Sequence, residues 1–319
     1  RFIMSYIIGV DIGGTNIVCG LIDTKHPEHI LAKSSVKTLA PRSCDSICDD
    51  IFDMCIKLCE QANISYSDIE SIGVGCPGII QNGVVKFAGN LHFTDEPLAE
   101  LLTAKANKPV TLCNDGSAAA YGEYICGAGK GRSSLIAVTI GTGIGGGIII
   151  NGKIFEGFNN AGSEIGHIII EKDGRQCGCG NKGCFEAYCS ATALIIDTLT
   201  AMQINKASKM WSLCGGDISR VSGKTAFEGA RLKDKTAEDV IDGYLEHLAF
   251  GVHNLITLFQ PEVICLGGGI SNEGEALLNP LLEKISKMSI TPEETPSTTV
   301  MLAVLGGDAG VIGAAMYSV

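Results

Sequence analysis

Basic side chains are scarce in this sequence. Its 319 residues carry 24 Lys and Arg against 35 Asp and Glu, a net charge of −11 and a pI of about 5.0. Binding a phosphate backbone requires a basic face, so a nucleic-acid partner is not expected. Proline is also sparse, at 9, and the glycines show no Gly-X-Y period. This excludes collagen and proline-rich disorder. No stretch approaches the ~18 uncharged apolar residues of a membrane span, so no membrane partner is expected either. The apolar opening, with Met4 read as the native start, ends at Asp11. That is short of a secretory h-region with its cleavage site. At 45% hydrophobic and 18% charged residues the composition is globular, and the length suits a large core or two domains.

Glycine and cysteine are plentiful instead. Fourteen cysteines suit a disulfide scaffold only in a short secreted chain. Here they point to a reduced, cytoplasmic protein. Residues 45–62 show helical spacing, and Cys44, Cys48, Cys55 and Cys59 belong to that helix. A metal or redox cluster is one reading of them, and small hydrophobes facing a core is the favoured one. The 41 glycines exceed the usual ~7% share nearly twofold, and they concentrate after strands. Residues 6–23 read as strand, glycine turn, strand, and residues 135–150 repeat that unit, with Ile12-Gly13 matching Ile140-Gly141 at an offset of 128. Such self-similarity suggests a duplicated two-domain α/β architecture. Further helices are expected at 117–124, 236–259 and 308–317, and strands at 71–80, 110–115 and 262–270.

Gly141-Thr-Gly-Ile-Gly-Gly146 satisfies G-x-G-x-x-G. A dinucleotide fingerprint must open a helix. Here Asn151-Gly152 follows an apolar run, a hairpin signal, so the turn joins strands and a dehydrogenase is disfavoured. Glycine turns between strands also let successive N–H groups converge on an anion. Two such turns and Gly267-Gly268-Gly269 together suit the phosphates of a nucleotide.

Asp11-Ile-Gly-Gly-Thr15, residues 139–147 and Leu266-Gly-Gly-Gly-Ile270 resemble the phosphate-1, phosphate-2 and adenosine motifs of the actin/hexokinase/Hsp70 superfamily. Within it the chain resembles the ROK family of sugar kinases over essentially its full length, and Cys177–Leu194 is especially similar to ROK glucokinases. The resemblance implies a two-domain actin-like ATPase (ribonuclease H-like) fold with a nucleotide and sugar cleft between the domains, which closes to exclude water. The expected domains are 1–116 plus 302–319, and 117–301. It implies ATP with Mg²⁺ as cofactor, a hexose phosphorylated at its 6-hydroxyl, most readily glucose, and a homodimer or tetramer serving carbohydrate metabolism and glycolysis. N-acetylmannosamine, allose or fructose kinases of the family are alternatives. A sugar-sensing ROK regulator is disfavoured, because only ten residues precede Asp11.

The implied nucleotide residues are Asp11, near Mg²⁺, with Gly13, Gly14, Thr15, Asn16, Gly141, Thr142, Gly143 and Gly267–Gly269. The implied general base is Asp115, with Asn114 on an adjacent hydroxyl. Local sequence alone reads this pair as a turn and N-cap. Glu164, His167 and Glu186 are implied sugar contacts, as are the turn at Gly78 and, more weakly, Asn90. Family members read Ala-Gly-Glu where this chain carries an extra Ser163. Cys177, Cys179 and Cys184 put three thiols within eight residues. His167 is the candidate for the fourth ligand of a closed tetrahedral Zn²⁺ site with a structural role, a reading that the resemblance to ROK kinases of the same His and Cys spacing also implies.

Overall fold

The computed structural model describes residues 5–288, 290, 292 and 295–319, so the expected start at Met4 lies outside the described residues. In chain order come β1 (Tyr6–Ile12), β2 (Asn16–Asp23), β3 (Ile30–Lys37), α1 (Cys44–Ala62), β4 (Ile69–Cys76), β5 (Ile79–Gln81), β6 (Val84–Ala88), β7 (Phe93–Glu96), α2 (Leu98–Ala106), β8 (Val110–Asn114) and α3 (Asp115–Cys126). Next are β9 (Ser134–Ile140), β10 (Ile144–Ile150), β11 (Lys153–Ile154), α4 (Glu186–Cys189), α5 (Ala191–Ile204), α6 (Met210–Leu213), α7 (Thr225–Arg231) and α8 (Lys235–Phe259). The chain ends with β12 (Val263–Gly267), α9 (Glu275–Ser286), β13 (Thr299–Leu302) and α10 (Ala309–Tyr317).

Two compact units result. The first comprises residues 1–137, 147–163 and 304–319, and the second 138–146 and 164–303. This division differs from the expected one in placing residues 117–137, most of α3 among them, and 147–163 with the first unit, and 302–303 with the second. The physical reason is α10, which packs on α3 as well as on β1 and β4.

One sheet has the order β3-β2-β1-β4-β8. β1 is antiparallel to β2 and parallel to β4, and β4 is parallel to β8. The other runs β11-β10-β9-β12-β13, with β10 antiparallel to β11 and β12 parallel to β13. Each has three strands consecutive in sequence, then two that arrive through helices, the repeat expected from the strand–glycine–strand units. The β10–β11 turn has Asn151 and Gly152 at φ 52° and 76°, as a two-residue hairpin requires. β5, β6 and β7 form a small separate sheet.

α1 shows why the cysteine-rich stretch folds. Ser43 caps it by accepting from Ser46 N–H, Asn63 ends it in a left-handed conformation, and Ile47, Cys48, Ile51, Met54, Cys55, Leu58 and Cys59 are buried along it. Burial raises the Cys55 thiol to about 12. Outside 177–184 the cysteines are buried free thiols, as expected, except Cys126, which is half-exposed at the end of α3.

Candidate active site

In the first unit, β1 delivers Asp11 to the strand end and the turn Gly13–Asn16 follows. Gly13 N–H donates to Asn16 O at 2.9 Å. Thr38, buried just after β3, donates its hydroxyl to Gly13 O at 2.6 Å and its N–H to Thr15 O at 2.9 Å. The turn is therefore clamped from outside its own sequence, with Gly14 and Thr15 exposed. The Asp11 carboxylate lies against Gly310 at the start of α10, where an added Cβ would come within 2.6 Å of Oδ2. Burial raises the Asp11 carboxyl from 3.8 to about 6; Asp115 acts in the same direction, and Lys33, paired with Asp308, opposes it.

Asn114 and Asp115 stand where β8 becomes α3. Asn114 caps the helix through Oδ1, which accepts from Ser117 N–H at 3.2 Å, and its Nδ2 donates to Gly78 O at 3.1 Å. The side chain expected at the site thus also caps the helix, and its amide keeps one N–H unspent. Asp115 is raised by burial, against a 2.9 Å hydrogen bond from Gly116 N–H to Oδ1. Gly78 has φ 95°, and a Cβ there would overlap Phe87 O, so only glycine fits this turn. The Asn90 Cβ lies beside Gly14, 3.7 Å from where a Gly14 Cβ would stand.

In the second unit, the turn after β9 is closed by Gly141 N–H to Gly143 O at 2.9 Å and braced by Ala191 N–H on Gly141 O and Thr192 Oγ1 on Thr142 O, at 2.8 and 2.7 Å. Glu186, first residue of α4, accepts from Ile144 N–H through Oε2 at 2.9 Å. A Cβ on Gly143 would collide with that oxygen, which explains this glycine. Gly268, at φ 87°, lies against the Ile140 carbonyl, so the motif at Gly267–Gly269 meets the end of β9, just before Gly141. Glu164 is exposed, immediately before the short turn that carries His167.

His167, Cys177, Cys179 and Cys184 have one ligand atom each within 4.8 Å of all the others. Cys179 Sγ and Cys184 Sγ are 3.6 Å apart, and Cys177 Sγ is 3.7 Å from His167 Nδ1. Two sulfurs each ~2.3 Å from one ion at the tetrahedral angle stand about 3.8 Å apart, so donor set and spacing fit a four-coordinate ion of the zinc type. Cys177 Sγ also lies 3.6 Å from Glu186 Oε1. Glu186 therefore joins this loop to the glycine turn.

The pattern of the ROK family matches residues 7–318. The chain belongs to the ROK family. The glucokinase of Streptomyces coelicolor is 35% identical over 316 residues, 98% of this chain and 97% of that one. That of Thermotoga maritima is 35% identical over 312 residues, 97% and 96% of the two chains. The crystal structure of a ROK family glucokinase from Streptomyces griseus in complex with glucose and AMPPNP is 35% identical, with a TM-score of 0.80 over 98% of this chain and 99% of that one. The fold is accordingly the actin-like ATPase fold of ROK sugar kinases.

Several residues of this ROK site carry no motif. Thr38 and Gly310 reach the Asp11 turn from 25 or more positions away, and the Lys33–Asp308 pair spans 275. The only local signal is a threonine directly after an alternating strand. Ser163 adopts φ 66° and donates its hydroxyl to Phe155 O, so the residue that departs from the family's Ala-Gly-Glu occupies a left-handed position and ties a loop.

Proposed function

We propose that this ROK kinase transfers the γ-phosphoryl group of ATP to the 6-hydroxyl of glucose. The observation that carries the reading is the intact Asn114–Asp115 pair, with Asp115 desolvated, in a chain that matches ROK glucokinases from end to end. A sugar hydroxyl is a poor nucleophile and needs a positioned base. Asp115 takes the proton of the 6-hydroxyl as that oxygen attacks the γ-phosphorus and the bond to the ADP oxygen breaks. Asn114 and Gly78 hold a neighbouring hydroxyl, and Glu164, His167 and Glu186 are assigned to the others, with Asn90 a weaker contact. The N–H groups of Gly13–Asn16, Gly141–Gly143 and Gly267–Gly269, with the hydroxyls of Thr15 and Thr142, hold the nucleotide without the basic residues this chain lacks. Asp11 would orient the waters of Mg²⁺, which neutralises charge on the transferring group.

Zn²⁺ would be held by His167, Cys177, Cys179 and Cys184, tying the 177–184 loop to His167. Nδ1 of His167 faces the thiols, which leaves Nε2 for a sugar hydroxyl. We take the protein to be cytoplasmic and to act as a homodimer or tetramer in sugar breakdown. Among the described residues no helix is long and apolar enough to cross a membrane.

An assay coupling ADP release to glucose, N-acetylmannosamine, mannose, allose, fructose and glucosamine tests the reading. Turnover with glucose at the highest kcat/KM is expected. Turnover with none of the six overturns the kinase, and a preference for N-acetylmannosamine replaces the substrate and keeps the chemistry.

A further inference from the structure

Residues 155–163, between β11 and Glu164, form a small loop whose ends are tied. Gly162 N–H donates to Glu156 O at 2.8 Å, and the Ser163 hydroxyl to Phe155 O. Inside it Gly157, Asn160 and Ser163 have φ of 75°, 59° and 66°, and Asn159 Oδ1 accepts from Ala161 N–H at 3.3 Å. The loop is internally specified, in the manner of compact Ω-loops, which are often functional. Yet Phe158 at its tip is 100% exposed. A phenyl ring left wholly in water contributes nothing to the fold and is free to gain by burial against a ligand.

The backbone beside that ring is tied to the strand that follows Gly78. Gln81 Nε2 donates to Asn159 O at 2.7 Å, next to Phe158. Gln81 ends β5, which starts one residue after Gly78, and Gly78 O is held by Asn114. A short chain of hydrogen bonds and one three-residue strand thus links the loop tip to the Asn114–Asp115 pair, all within the first unit. The other end of the loop continues directly into Glu164.

We propose that residues 155–163 are a flap for the acceptor sugar and that Phe158 is a specificity-determining residue, its ring covering the C–H face of the bound hexose. A pyranose offers one apolar face and a rim of hydroxyls, and an aromatic ring supplies the apolar complement that Asn114 lacks. The proposal rests on the sugar-kinase reading.

The test compares Phe158→Ala, Phe158→Trp and Gln81→Leu with the unchanged protein. Because the ring packs on nothing, the fold is expected to persist, checked by an unchanged melting midpoint. Phe158→Ala is expected to raise the KM for glucose roughly tenfold, the loss of partial burial of one ring, with kcat and the KM for ATP within about twofold. Gln81→Leu should shift the glucose KM in the same direction. The chain has one tryptophan, Trp211; glucose should move the emission of Phe158→Trp to shorter wavelength and leave the parent's unmoved. If the parent phosphorylates glucose while Phe158→Ala keeps its KM and Phe158→Trp its spectrum, the flap is overturned and the kinase stands. A change in sedimentation with Phe158→Ala at constant KM also overturns it, by making the ring a contact between copies. A parent with no turnover on any sugar fails the kinase reading instead.

Discussion

Replacing Asp11 by Asn should stabilise the ligand-free protein while disabling it, and the size of the effect follows from the site. The folded chain holds this carboxyl at about 6 rather than 3.8, chiefly through burial and then through Asp115. At 1.36 kcal/mol per pKa unit, the shift corresponds to an upper limit of roughly 3 kcal/mol. The sign follows from proton binding. The folded state holds this proton more tightly than the unfolded state, so stability is highest below 3.8, falls as pH rises through the window to about 6, and is level above it. Asparagine does not ionise and escapes that loss. Urea unfolding without nucleotide or Mg²⁺ should therefore show Asp11→Asn more stable than the parent by ~1–3 kcal/mol at pH 7.5, with the gap closing near pH 4. Mg²⁺-ATP should raise the melting midpoint of the parent and not of the variant. A gap of equal size at both pH values, or a variant less stable at pH 7.5, would refute the argument that this carboxylate is held in the fold at a cost for the sake of its ligand.

Asp115→Asn should lower kcat about 10²–10⁴-fold with little change in the KM for glucose; near-full turnover removes Asp115 from the role of base. Since burial raises its carboxyl, the acid limb of kcat/KM should lie above the ordinary carboxylate range, activity falling as pH drops through it, in a stopped pH series. Purified protein should carry about one zinc per chain by metal analysis; much less under metal-replete conditions rejects the site. Adding Zn²⁺ to the stripped protein in weak buffer should release protons, because Cys184 is held up to about 12 by burial and must lose its proton to bind. Gly143→Ala, which drives a methyl group into the Glu186 carboxylate, should weaken both ATP and glucose kinetics about tenfold or more, a size that a lost hydrogen bond to a charged group can reach. Parent-like KM values for both would contradict the joint placement of turn and Glu186.

Elements with a short-range cause were legible in the sequence. The helix at α1 follows from the spacing of Ile47, Ile51, Cys55 and Leu58, and the Asn151-Gly152 hairpin from two residues that tolerate left-handed backbone. The glycine turns and the Cys177–Cys184 loop are compact in sequence, so their chemistry is visible in a single stretch. What escaped depends on packing between distant segments: Thr38 under the first turn, Gly310 against Asp11, and Glu186 spanning Cys177 and Ile144. The grouping of α3 with the first unit likewise comes from α10, some 190 residues later in the chain. A thiol is a small hydrophobe anywhere in a helix, so sequence alone places Cys126 in the core, and its half-exposure at the last turn of α3 is a tertiary fact.

The uneven exposure of the thiols has a consequence for how this protein meets oxidants and alkylating reagents. Most of its cysteines are buried, and burial raises the thiols of Cys19, Cys55, Cys59, Cys76, Cys113 and Cys189, so these offer an electrophile little. Cys126 is half-exposed but raised to about 11 by burial. Cys179 is exposed and pulled below the ordinary thiol value by the Asn181 backbone N–H, and Cys184 Sγ lies 3.6 Å from it. An ion held by His167, Cys177, Cys179 and Cys184 would shield Cys179, so labelling there should slow as metal occupancy rises, and removal of such an ion should leave the Cys179–Cys184 sulfur pair open to oxidation.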